Sequence, residues 1–248
     1  MLLDDFARAL DPVSFAIDCG IAPDDWQADL LVGGAQKSLL LCSRQAGKST
    51  ATALLALHEA IYQPPALILL ISPSLRQSGE LFKKVMEFWH GLKGAPESAY
   101  ESALRLELRN GSRIIALPGS EATVRGFSAA RLVVVDEAAR VPDELLAAVR
   151  PTLATTNGRF IALSTPAGRR GWFFEQWQHG SDWQRIKITA DECPRISREF
   201  LENEERELGP LLYRQEYMCE FVDDQTTVFS SELIEAAISD EVEPLWAL

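Results

Sequence analysis

The most constraining feature of this sequence is an apolar run that leads into a glycine–lysine–serine turn and then into a helix. Residues 38–43 read SLLLCS, residues 44–49 read RQAGKS, and apolar side chains recur at helical spacing from Lys48 to Tyr62. A buried strand, a tight loop and a helix in this order are typical of a loop whose backbone N–H groups hold phosphates. In such loops the lysine reaches the outer phosphates and the hydroxyl binds Mg²⁺. The segment therefore predicts a site for a nucleotide's phosphates.

The loop departs from the usual pattern at one position. A strict search requires a glycine five residues before Gly47, where this chain has Cys42. A glycine–lysine–serine turn can also arise by chance, but the strand before it and the helix after it favour a phosphate-binding loop. We expect Cys42 to be a small, partly buried residue, although an electropositive phosphate site would favour a reactive thiolate.

Four further apolar runs repeat the strand pattern, at residues 66–72, 112–118, 131–137 and 159–165. Most of them lack alternation, which is typical of parallel strands covered by helices on both faces. Residues 78–92 show helical spacing, and a short helix is expected from Asp143 to Val149. With 248 residues, 47% of them apolar, the chain can bury a sizeable core. Strands alternating with helices predict an α/β fold around a mostly parallel sheet.

Residues 100–118 are the exception to the parallel pattern. Apolar and polar residues alternate here on both sides of Asn110-Gly111. Two alternating runs joined by Asn-Gly are the strongest short-range signal for a β-hairpin. We therefore expect an antiparallel hairpin at one edge of the sheet.

The C-terminal part of the chain differs in pattern and in charge. Beyond about residue 173, charged helices are predicted over 197–208 and 210–220. Residues 191–248 contain 16 acidic and 4 basic residues, while residues 1–190 contain 20 of each, so the last segment carries the whole net charge of −12. We predict a core domain over residues 1–172 and a small helical lid subdomain over residues 173–222.

Composition argues against several classes of protein. Overall acidity disfavours a protein that coats nucleic acid with a broad basic face, although it is compatible with a local basic strip. No apolar window is long enough for a membrane span, and acids stand where a signal peptide would be basic, so a cytoplasmic protein without a membrane association is expected. The cysteines lack paired or metal-binding spacing and are expected to be reduced thiols: Cys19, Cys42, Cys193 and Cys219.

Two more strands end in residues suited to chemistry. After four apolar residues, Asp136 would hold Mg²⁺ through its waters and Glu137 would activate a water molecule as general base. Another strand ends in Ser164-Thr165-Pro166. An acidic pair can instead cap a helix, and the second motif can be an ordinary turn. Because strand ends converge at one edge of a parallel sheet, where ligands bind, the three motifs favour one shared site.

Together these motifs resemble the ATPase domain of the large terminase subunit, the genome-packaging motor of tailed bacteriophages. The loop from Ser43 to Ser49 is similar to the family's Walker A variant, which carries Arg and Gln. Trp26-Gln27 resembles the family's adenine-recognition motif, Val133 to Ala138 its Walker B segment, and Ser164 to Pro166 its coupling motif. Arg125-Gly126 stands where the family often carries an arginine that acts on a neighbouring subunit's ATP. Tyr213 to Phe221, with Val228-Phe229, resembles the segment that joins the ATPase to the nuclease.

The resemblance implies a RecA-like P-loop ATPase of the ASCE class, with ATP and Mg²⁺ as ligands. It implies a set of site residues by role: catalytic Glu137, Arg44 and Arg125; nucleotide-binding Gln27, Ser43, Gln45, Ala46, Gly47, Lys48, Ser49 and Thr50; metal-binding Ser49 and Asp136; and coupling Ser164, Thr165 and Pro166. It also implies that residues 223–248 begin a connection to a nuclease domain absent from this chain. An excised ATPase domain and a naturally short packaging ATPase both fit that pattern.

The arginine roles have alternatives. Arg44 could contact the γ-phosphate or form an ion pair with a neighbouring acid, and the resemblance favours the first. Arg125 would act on a neighbour's ATP, with Arg131 and Arg140 as alternatives near Walker B. An arginine acting between subunits implies an oligomer, by resemblance a pentameric ring at the viral portal. An isolated chain could still be a monomer.

The implied partners are double-stranded DNA, the portal protein and the small terminase subunit, in the cytoplasm of an infected bacterial host. The candidate contacts for DNA phosphates have only a basic side chain in common, and a basic side chain is more often an ordinary solvated group on the surface. They are Lys83, Lys84, Arg105, Arg109, Arg113, Arg169 and Arg170. The aromatic and histidine side chains expected to be structural are His58, His90, His179, Trp172, Trp177 and Trp183.

Two other functions remain as rivals to the packaging motor. One is another P-loop DNA translocase or helicase, but no second RecA-like domain fits after residue 170. The other is a nucleotide-binding assembly protein with little turnover. The presence of both Lys48 and Glu137 argues against that second alternative.

Overall fold

A sheet of eight strands organises the chain in the computed structural model, which describes residues 2–223 and residue 237. The strands are β1 Lys37–Cys42, β2 Leu67–Ser72, β3 Ser98–Glu101, β4 Arg105–Leu108, β5 Arg113–Pro118, β6 Leu132–Asp136, β7 Arg159–Ser164 and β8 Gln184–Ile188. The helices are α1 Leu2–Leu10, α2 Pro12–Asp18, α3 Asp25–Val32, α4 Lys48–Tyr62, α5 Leu75–Gly91, α6 Glu121–Val124, α7 Glu144–Leu153, α8 Gly171–His179 and α9 Arg198–Glu216. Predictions on Val228-Phe229 and on the rest of the connection after residue 223 lie outside the described residues.

The spatial order of the strands is β3-β4-β5-β2-β6-β7-β1-β8. Six strands, from β5 to β8 in that order, run parallel to their neighbours, and β3 and β4 add an antiparallel edge beside β5. Strand β7 lies between β1 and β6, although it follows both in sequence. The end of β7 therefore stands between the loop after β1 and the acidic pair after β6.

The core consists of two apolar layers, one on each face of the sheet. Because side chains alternate along a strand, Leu40 and Cys42 pack toward helices α4 and α5, while Leu39 and Leu41 pack toward the opposite layer. The central strands are buried on both faces, which explains why their sequences show no alternation.

The sequence predictions for the central elements are confirmed. All five apolar runs are strands, and α4 spans the predicted residues Lys48–Tyr62. The hairpin is confirmed as the antiparallel pair β4–β5 around Asn110-Gly111. A turn at residues 102–104 divides its first arm, so that the edge strand is β3 rather than β4.

The C-terminal segment is less helical than predicted. Residues 184–188 form β8, which pairs in parallel with β1 and extends the central sheet. The two predicted charged helices lie on either side of Gly209, whose φ of 74° and ψ of 164° are not helical; together they form α9, which ends at Glu216 rather than at residue 220. This interruption arises because Gly209 adopts a positive φ and the following proline cannot donate a backbone hydrogen bond. The expectation of helices alone after residue 173 is therefore wrong, and the boundary at residues 172–173 stays a prediction.

Among the described residues, the helices are too short or too polar to cross a lipid bilayer.

Candidate nucleotide-binding site

The loop between β1 and α4 has the backbone that a phosphate-binding loop needs. Gln45 and Gly47 have positive φ angles of 62° and 91°. The carbonyl of Gly47 accepts hydrogen bonds from the N–H groups of Thr50 and Ala51, both at 3.1 Å, so that α4 begins at Lys48. The N-terminus of a helix presents its first N–H groups to an anion. The local sequence therefore builds an anion site at the start of α4.

Gly47 is required by its conformation and by its surroundings. Left-handed φ angles cost little for glycine and more for any other residue. A Cβ atom at this position would also lie 2.5 Å from the Gln27 side-chain nitrogen and 3.4 Å from the Arg195 guanidinium. The loop is thus packed closely against two other segments of the chain.

Four predicted site residues meet at the edge of the sheet. The Ser49 hydroxyl donates to Asp136 Oδ2 at 3.3 Å, and the Lys48 ammonium lies 3.6 Å from Glu137 Oε1. The Glu137 N–H donates to Asp136 Oδ1 at 2.9 Å. The loop after β1 and the acidic pair after β6 therefore form one site, although 88 residues separate Lys48 from Asp136.

The electrostatics of this site favour a cation. Burial first, and then the negative charge of Glu137, raise the pKa of Asp136 to about 6, while Lys48 opposes that shift. Within residues 2–223, no three His, Cys, Asp or Glu side chains are grouped so as to hold a metal by themselves. A carboxylate and a hydroxyl are hard oxygen donors that suit Mg²⁺, which usually completes its shell with phosphates and water. The residues fit a magnesium ion bound together with a nucleotide.

A cleft of about 760 Å³ opens beside the loop. Its lining comes from the loop and the start of α4, from α5 and from the segment before and within α9: Gln45, Gly47, Lys48, Ser49, Thr50, Lys84, Arg195, Ile196, Ser197 and Phe200. The predicted binding residues Ser43 and Ala46 are buried, so that neither lines the cleft. The space and the polar lining suit a nucleotide.

Gln27 is buried beside the loop rather than in open solvent. Its side-chain nitrogen donates to the Gly47 carbonyl at 3.3 Å, and its side-chain oxygen accepts from the Asp24 N–H at 2.9 Å. Arg195 closes the same corner with two 2.7 Å bonds to the Asp24 carboxylate and one 3.0 Å bond to the Ala46 carbonyl. The adenine-recognition residue predicted by resemblance therefore contacts the phosphate loop directly.

The predicted coupling residues lie at the end of β7, between the phosphate loop and the acidic pair Asp136-Glu137. Ser164, Thr165 and Pro166 are all buried. The Thr165 hydroxyl accepts a 3.1 Å hydrogen bond from Arg140, whose guanidinium also donates to Glu137 Oε2 at 2.8 Å. The buried Ser164 hydroxyl has no hydrogen-bond partner among the described residues. Arg140 thus connects the end of β7 to the proposed general base.

The arginines predicted from sequence fall into different places. Arg44 forms an ion pair with Glu216 at 2.6 Å, which is the alternative that the sequence left open. Arg125 is exposed on the surface and pairs with Glu121, one helical turn earlier. Arg131 pairs with Glu59 at the other end of β6, 2.8 Å away. Of the two alternatives to Arg125, only Arg140 lies in the site.

The candidate DNA-contacting residues lie in different regions of the structure. Lys83 and Lys84 line a second cleft, of about 350 Å³, together with Ser49, Asp136 and Glu137. These two lysines therefore lie beside the candidate nucleotide site. Three of the five arginines pair at the surface: Arg105 with Glu107, Arg109 with Glu97, and Arg169 with the Phe221 carbonyl and Asp223. Arg113 and Arg170 are exposed as well.

The cysteines, His58 and the three tryptophans Trp172, Trp177 and Trp183 pack against other side chains, whereas His90 and His179 are exposed. All four cysteines are free thiols, and Cys42 is fully rather than partly buried, which raises the pKa of its thiol far above the ordinary value. His58 is buried against Phe15, and Trp172 and Trp183 pack on Phe160.

Sequence reasoning missed two residues of this site, Arg195 and Glu216. Arg195 follows a proline in a stretch without periodicity, so no local signal marks it. Glu216 lies within the stretch from Tyr213 to Phe221 that resembles a family motif, but its contact with Arg44 depends on how α9 packs against the loop. Neither contact can be read from local sequence, because both join segments about 150–170 residues apart.

The comparisons with known proteins all indicate the same family. Residues 39–236 match the model of the family described as terminase large subunit, T4likevirus-type, N-terminal. The chain is similar to the large terminase subunit of Thermus phage G20c, with 27% identity over 85% of this chain and 51% of the relative. The chain thus spans about half the length of that relative.

Solved structures show the same likeness in three dimensions. The large terminase ATPase domain of Thermus phage P74-26 superposes with a TM-score of 0.71 and 24% identity, over 84% of this chain and 97% of that one. A large terminase from a thermophilic bacteriophage, solved in complex with ADP, superposes with a TM-score of 0.65 and 12% identity, over 81% and 54% of the two chains. At this identity the likeness shows the fold, and it confirms the predicted RecA-like α/β architecture.

Proposed function

Since the chain belongs to the terminase large-subunit family of the T4-like-virus type, we propose that it is the ATP-hydrolysing part of a viral motor that moves double-stranded DNA into a procapsid. The observation that carries this proposal is the convergence of Lys48, Ser49, Asp136 and Glu137 at one edge of the sheet. These residues supply each function that phosphoryl transfer to water requires. The other large terminase solved with ADP supports a nucleotide as the ligand.

Each side chain has a role that follows from its place. The N-terminus of α4 and the Lys48 ammonium bind the phosphates. Gln27 donates to the Gly47 carbonyl and lies on the side of the loop where the base binds. Ser49 and Asp136 would hold Mg²⁺, which would screen the negative charge of the phosphates. Glu137 orients the attacking water and accepts its proton. Arg44, which is paired with Glu216 in this structure, would leave that pair to contact the terminal phosphate.

Arg140 provides the route by which hydrolysis affects the rest of the molecule. Its guanidinium contacts both Glu137 and Thr165. A change at the terminal phosphate therefore reaches the end of β7 and the segment that leads to α8. We propose that this connection moves bound DNA, with Ser164, Thr165 and Pro166 as the coupling residues.

Arg125 is proposed to act on the ATP of a neighbouring copy. Its side chain is 68% exposed, and within its own chain it pairs with Glu121 rather than with any residue of the nucleotide site. An exposed arginine of this kind can complete a neighbour's site and stabilise charge in the transition state. The active form would be a ring, by resemblance a pentamer, that assembles with the portal protein and the small terminase subunit in the host cytoplasm.

The first test is Mg²⁺-dependent ATP hydrolysis measured against protein concentration. Specific activity should rise with concentration, because each site needs an arginine from a second copy. Glu137→Gln should retain ATP binding and lose hydrolysis by roughly 100-fold or more. Arg125→Ala should lose a similar factor.

Mixing the two inactive variants tests action between subunits. In a mixed assembly, Glu137→Gln subunits supply Arg125 to Arg125→Ala subunits that retain Glu137, so activity should return. Arg150→Ala, at the opposite edge of the sheet beside Gln36, is the matched arginine control and should behave as the unmodified chain. Activity that is independent of concentration, with no recovery on mixing, would contradict the role of Arg125. Failure to bind ATP would contradict the whole proposal.

Another P-loop DNA translocase or helicase is the alternative function. A packaging motor should be stimulated by intact double-stranded DNA without separating its strands. Hydrolysis measured with blunt duplex DNA, together with a strand-separation assay on the same duplex, distinguishes the two. Unwinding of that duplex would favour the helicase.

A further inference from the structure

Glu216 links two arginines that belong to different parts of the nucleotide site. Its Oε2 atom accepts from Arg44 Nε at 2.6 Å, and its Oε1 atom lies 3.5 Å from Arg140 Nη2. The Glu216 side chain is only 14% exposed, whereas that of Arg44 is 62% exposed. One nearly buried carboxylate therefore contacts an arginine of the phosphate loop and an arginine that lies two residues beyond the Walker B segment.

The position of Glu216 is fixed from both sides. It is the last residue of α9, and its backbone carbonyl accepts from the Arg44 N–H at 3.3 Å. The neighbouring Tyr217 carbonyl accepts from the Ala190 N–H at 2.8 Å, which ties the end of α9 to the segment after β8. The carboxylate is thus placed by the backbone and not only by its own flexible side chain.

The contacts form a continuous chain of alternating charge. Lys48 faces Glu137 at 3.6 Å, Glu137 faces Arg140 at 2.8 Å, and Arg140 faces Glu216, which also holds Arg44. A bound triphosphate adds a strong anion beside Lys48 and competes with Glu216 for the Arg44 guanidinium, which prefers phosphate or carboxylate oxygens. Loss of Arg44 would leave Glu216 with Arg140 as its remaining cation in this chain of contacts.

We propose that Glu216 is a positioning residue for ATP hydrolysis: it retains Arg44 until the terminal phosphate takes that arginine, and it holds Arg140 so that Glu137 stays in place. This rests on the proposed ATPase function. It adds to that function a residue at the end of α9 that responds to the terminal phosphate. ADP lacks that phosphate and would leave the Arg44–Glu216 pair intact.

The decisive measurement is the ratio of affinities for Mg–ATPγS and Mg–ADP. In Glu216→Gln, Arg44 no longer has to leave a carboxylate, so affinity for ATPγS should rise roughly three- to tenfold relative to ADP. In an Arg44→Gln background, the same change at Glu216 should leave the ratio unaltered, because the competing arginine is gone. Calorimetric titration of the full chain gives both affinities without requiring turnover.

Catalysis gives a second readout with an independent control. Glu216→Gln should lower kcat for ATP by roughly tenfold or more without raising KM, because Arg140 and Glu137 lose their support. Glu216→Asp, which retains the charge, should recover part of that loss. Glu220→Gln removes a nearby glutamate that pairs with Arg214 at 2.5 Å, and it should change neither the ratio nor kcat.

The outcomes separate this inference from the proposed function. An affinity ratio that is the same in Glu216→Gln and in the unmodified chain would overturn the inference, even if the unmodified chain hydrolyses ATP normally. A ratio that shifts equally in the Arg44→Gln background would overturn it too, since the effect would then be general electrostatics. An unmodified chain that binds neither nucleotide would instead refute the proposed function itself.

Discussion

At the scale of single residues, Glu137 has an unusual backbone conformation. Its backbone is left-handed, with φ 52° and ψ 43°, a region that residues with a side chain rarely adopt. Holding such a residue there costs on the order of 1 kcal/mol. The conformation lets its N–H donate to Asp136 while its carboxylate faces Lys48 and Arg140. Strain at this residue therefore accompanies a geometry that the chemistry requires.

Gly47 supports a prediction at the same scale. Gly47→Ala should lose nucleotide binding and lower the free energy of unfolding by about 1–3 kcal/mol, because alanine is strained at a φ of 91° and its Cβ would clash with Gln27. Nucleotide titration and chemical denaturation of the variant measure the two effects.

Gly34→Ala is the matched control for that prediction. A Cβ atom at Gly34 would meet no other heavy atom within 4 Å. Binding should be unchanged, and unfolding should differ by less than about 1 kcal/mol. If Gly47→Ala behaved as Gly34→Ala does, the close contact between the loop and Gln27 would not matter to the site.

At the scale of elements, β8 explains how the phosphate loop is held. The Ser43 N–H, at the start of the loop, donates to the Ile188 carbonyl at the end of β8, 2.9 Å away. Sequence reasoning missed this strand because Gln184, Arg185 and Lys187 are exposed, so the run reads as polar. Charged side chains are common on edge strands, where they discourage pairing with other chains. The strand is recognisable only once β1 provides a neighbour.

Asn110 supports a prediction about how elements are joined. Its side-chain nitrogen donates to the carbonyls of Ala60 and Ile61 near the end of α4, at 2.9 and 3.2 Å, and its oxygen accepts from the Ser112 N–H at 2.9 Å. Asn110→Ala should lower the free energy of unfolding by about 1–3 kcal/mol, because two partly buried carbonyls near the end of α4 lose their donor. Chemical denaturation measures this loss.

Asn203→Ala provides the comparison for Asn110. Asn203 lies on the exposed surface of α9, where it accepts a hydrogen bond from Arg206. Its replacement should change the free energy of unfolding by less than about 0.5 kcal/mol. Equal losses in the two variants would mean that the hairpin turn does not anchor α4.

At the scale of the whole molecule, the N-terminal helices are attached to α4 through His58. The buried ring packs against Phe15 and Tyr62, and its Nε2 atom lies 3.0 Å from the Arg8 carbonyl. Burial lowers the pKa of His58 from its ordinary value of 6.5, although the Arg8 carbonyl and the charge of Glu59 oppose that shift. Of the more distant charges, Arg159 lowers this pKa and Asp11 raises it. The neutral ring is therefore the form that suits the folded protein.

The lowered pKa predicts a loss of stability in acid. Just below pH 6.5 the unfolded chain binds a proton at His58 that the folded chain does not, so the contribution of His58 to the free energy of unfolding should decrease as the pH falls below about 6.5. In His58→Gln that part of the pH dependence should disappear, although the variant should be less stable throughout. Denaturation curves from pH 7.5 to 5.5 measure the difference.

His179 serves as the reference histidine for this experiment. It is exposed near the end of α8. His179→Gln should leave the pH dependence of unfolding as it is in the unmodified chain. If the two variants gave the same dependence, His58 would not be the group responsible.

The sequence by itself determined the elements that carry chemistry. Apolar runs identified β1, β2, β5, β6 and β7, because strands buried on both faces must be apolar throughout. The glycine–lysine–serine turn and the Asp136-Glu137 pair could be recognised because phosphate and metal binding depend on residue types at fixed local spacing. These are properties of short stretches of residues, which can be recognised in a sequence without knowledge of the fold.

Only the tertiary structure decided which of these residues are neighbours. The placement of β7 between β1 and β6 brings Thr165 beside the site, and the packing of α9 brings Glu216 to Arg44 and Arg140. The packing of the C-terminal segment also left Arg44 in an ion pair and brought Arg195 to the phosphate loop. Contacts between distant segments depend on how layers pack around a common core, and local spacing contains no record of that arrangement.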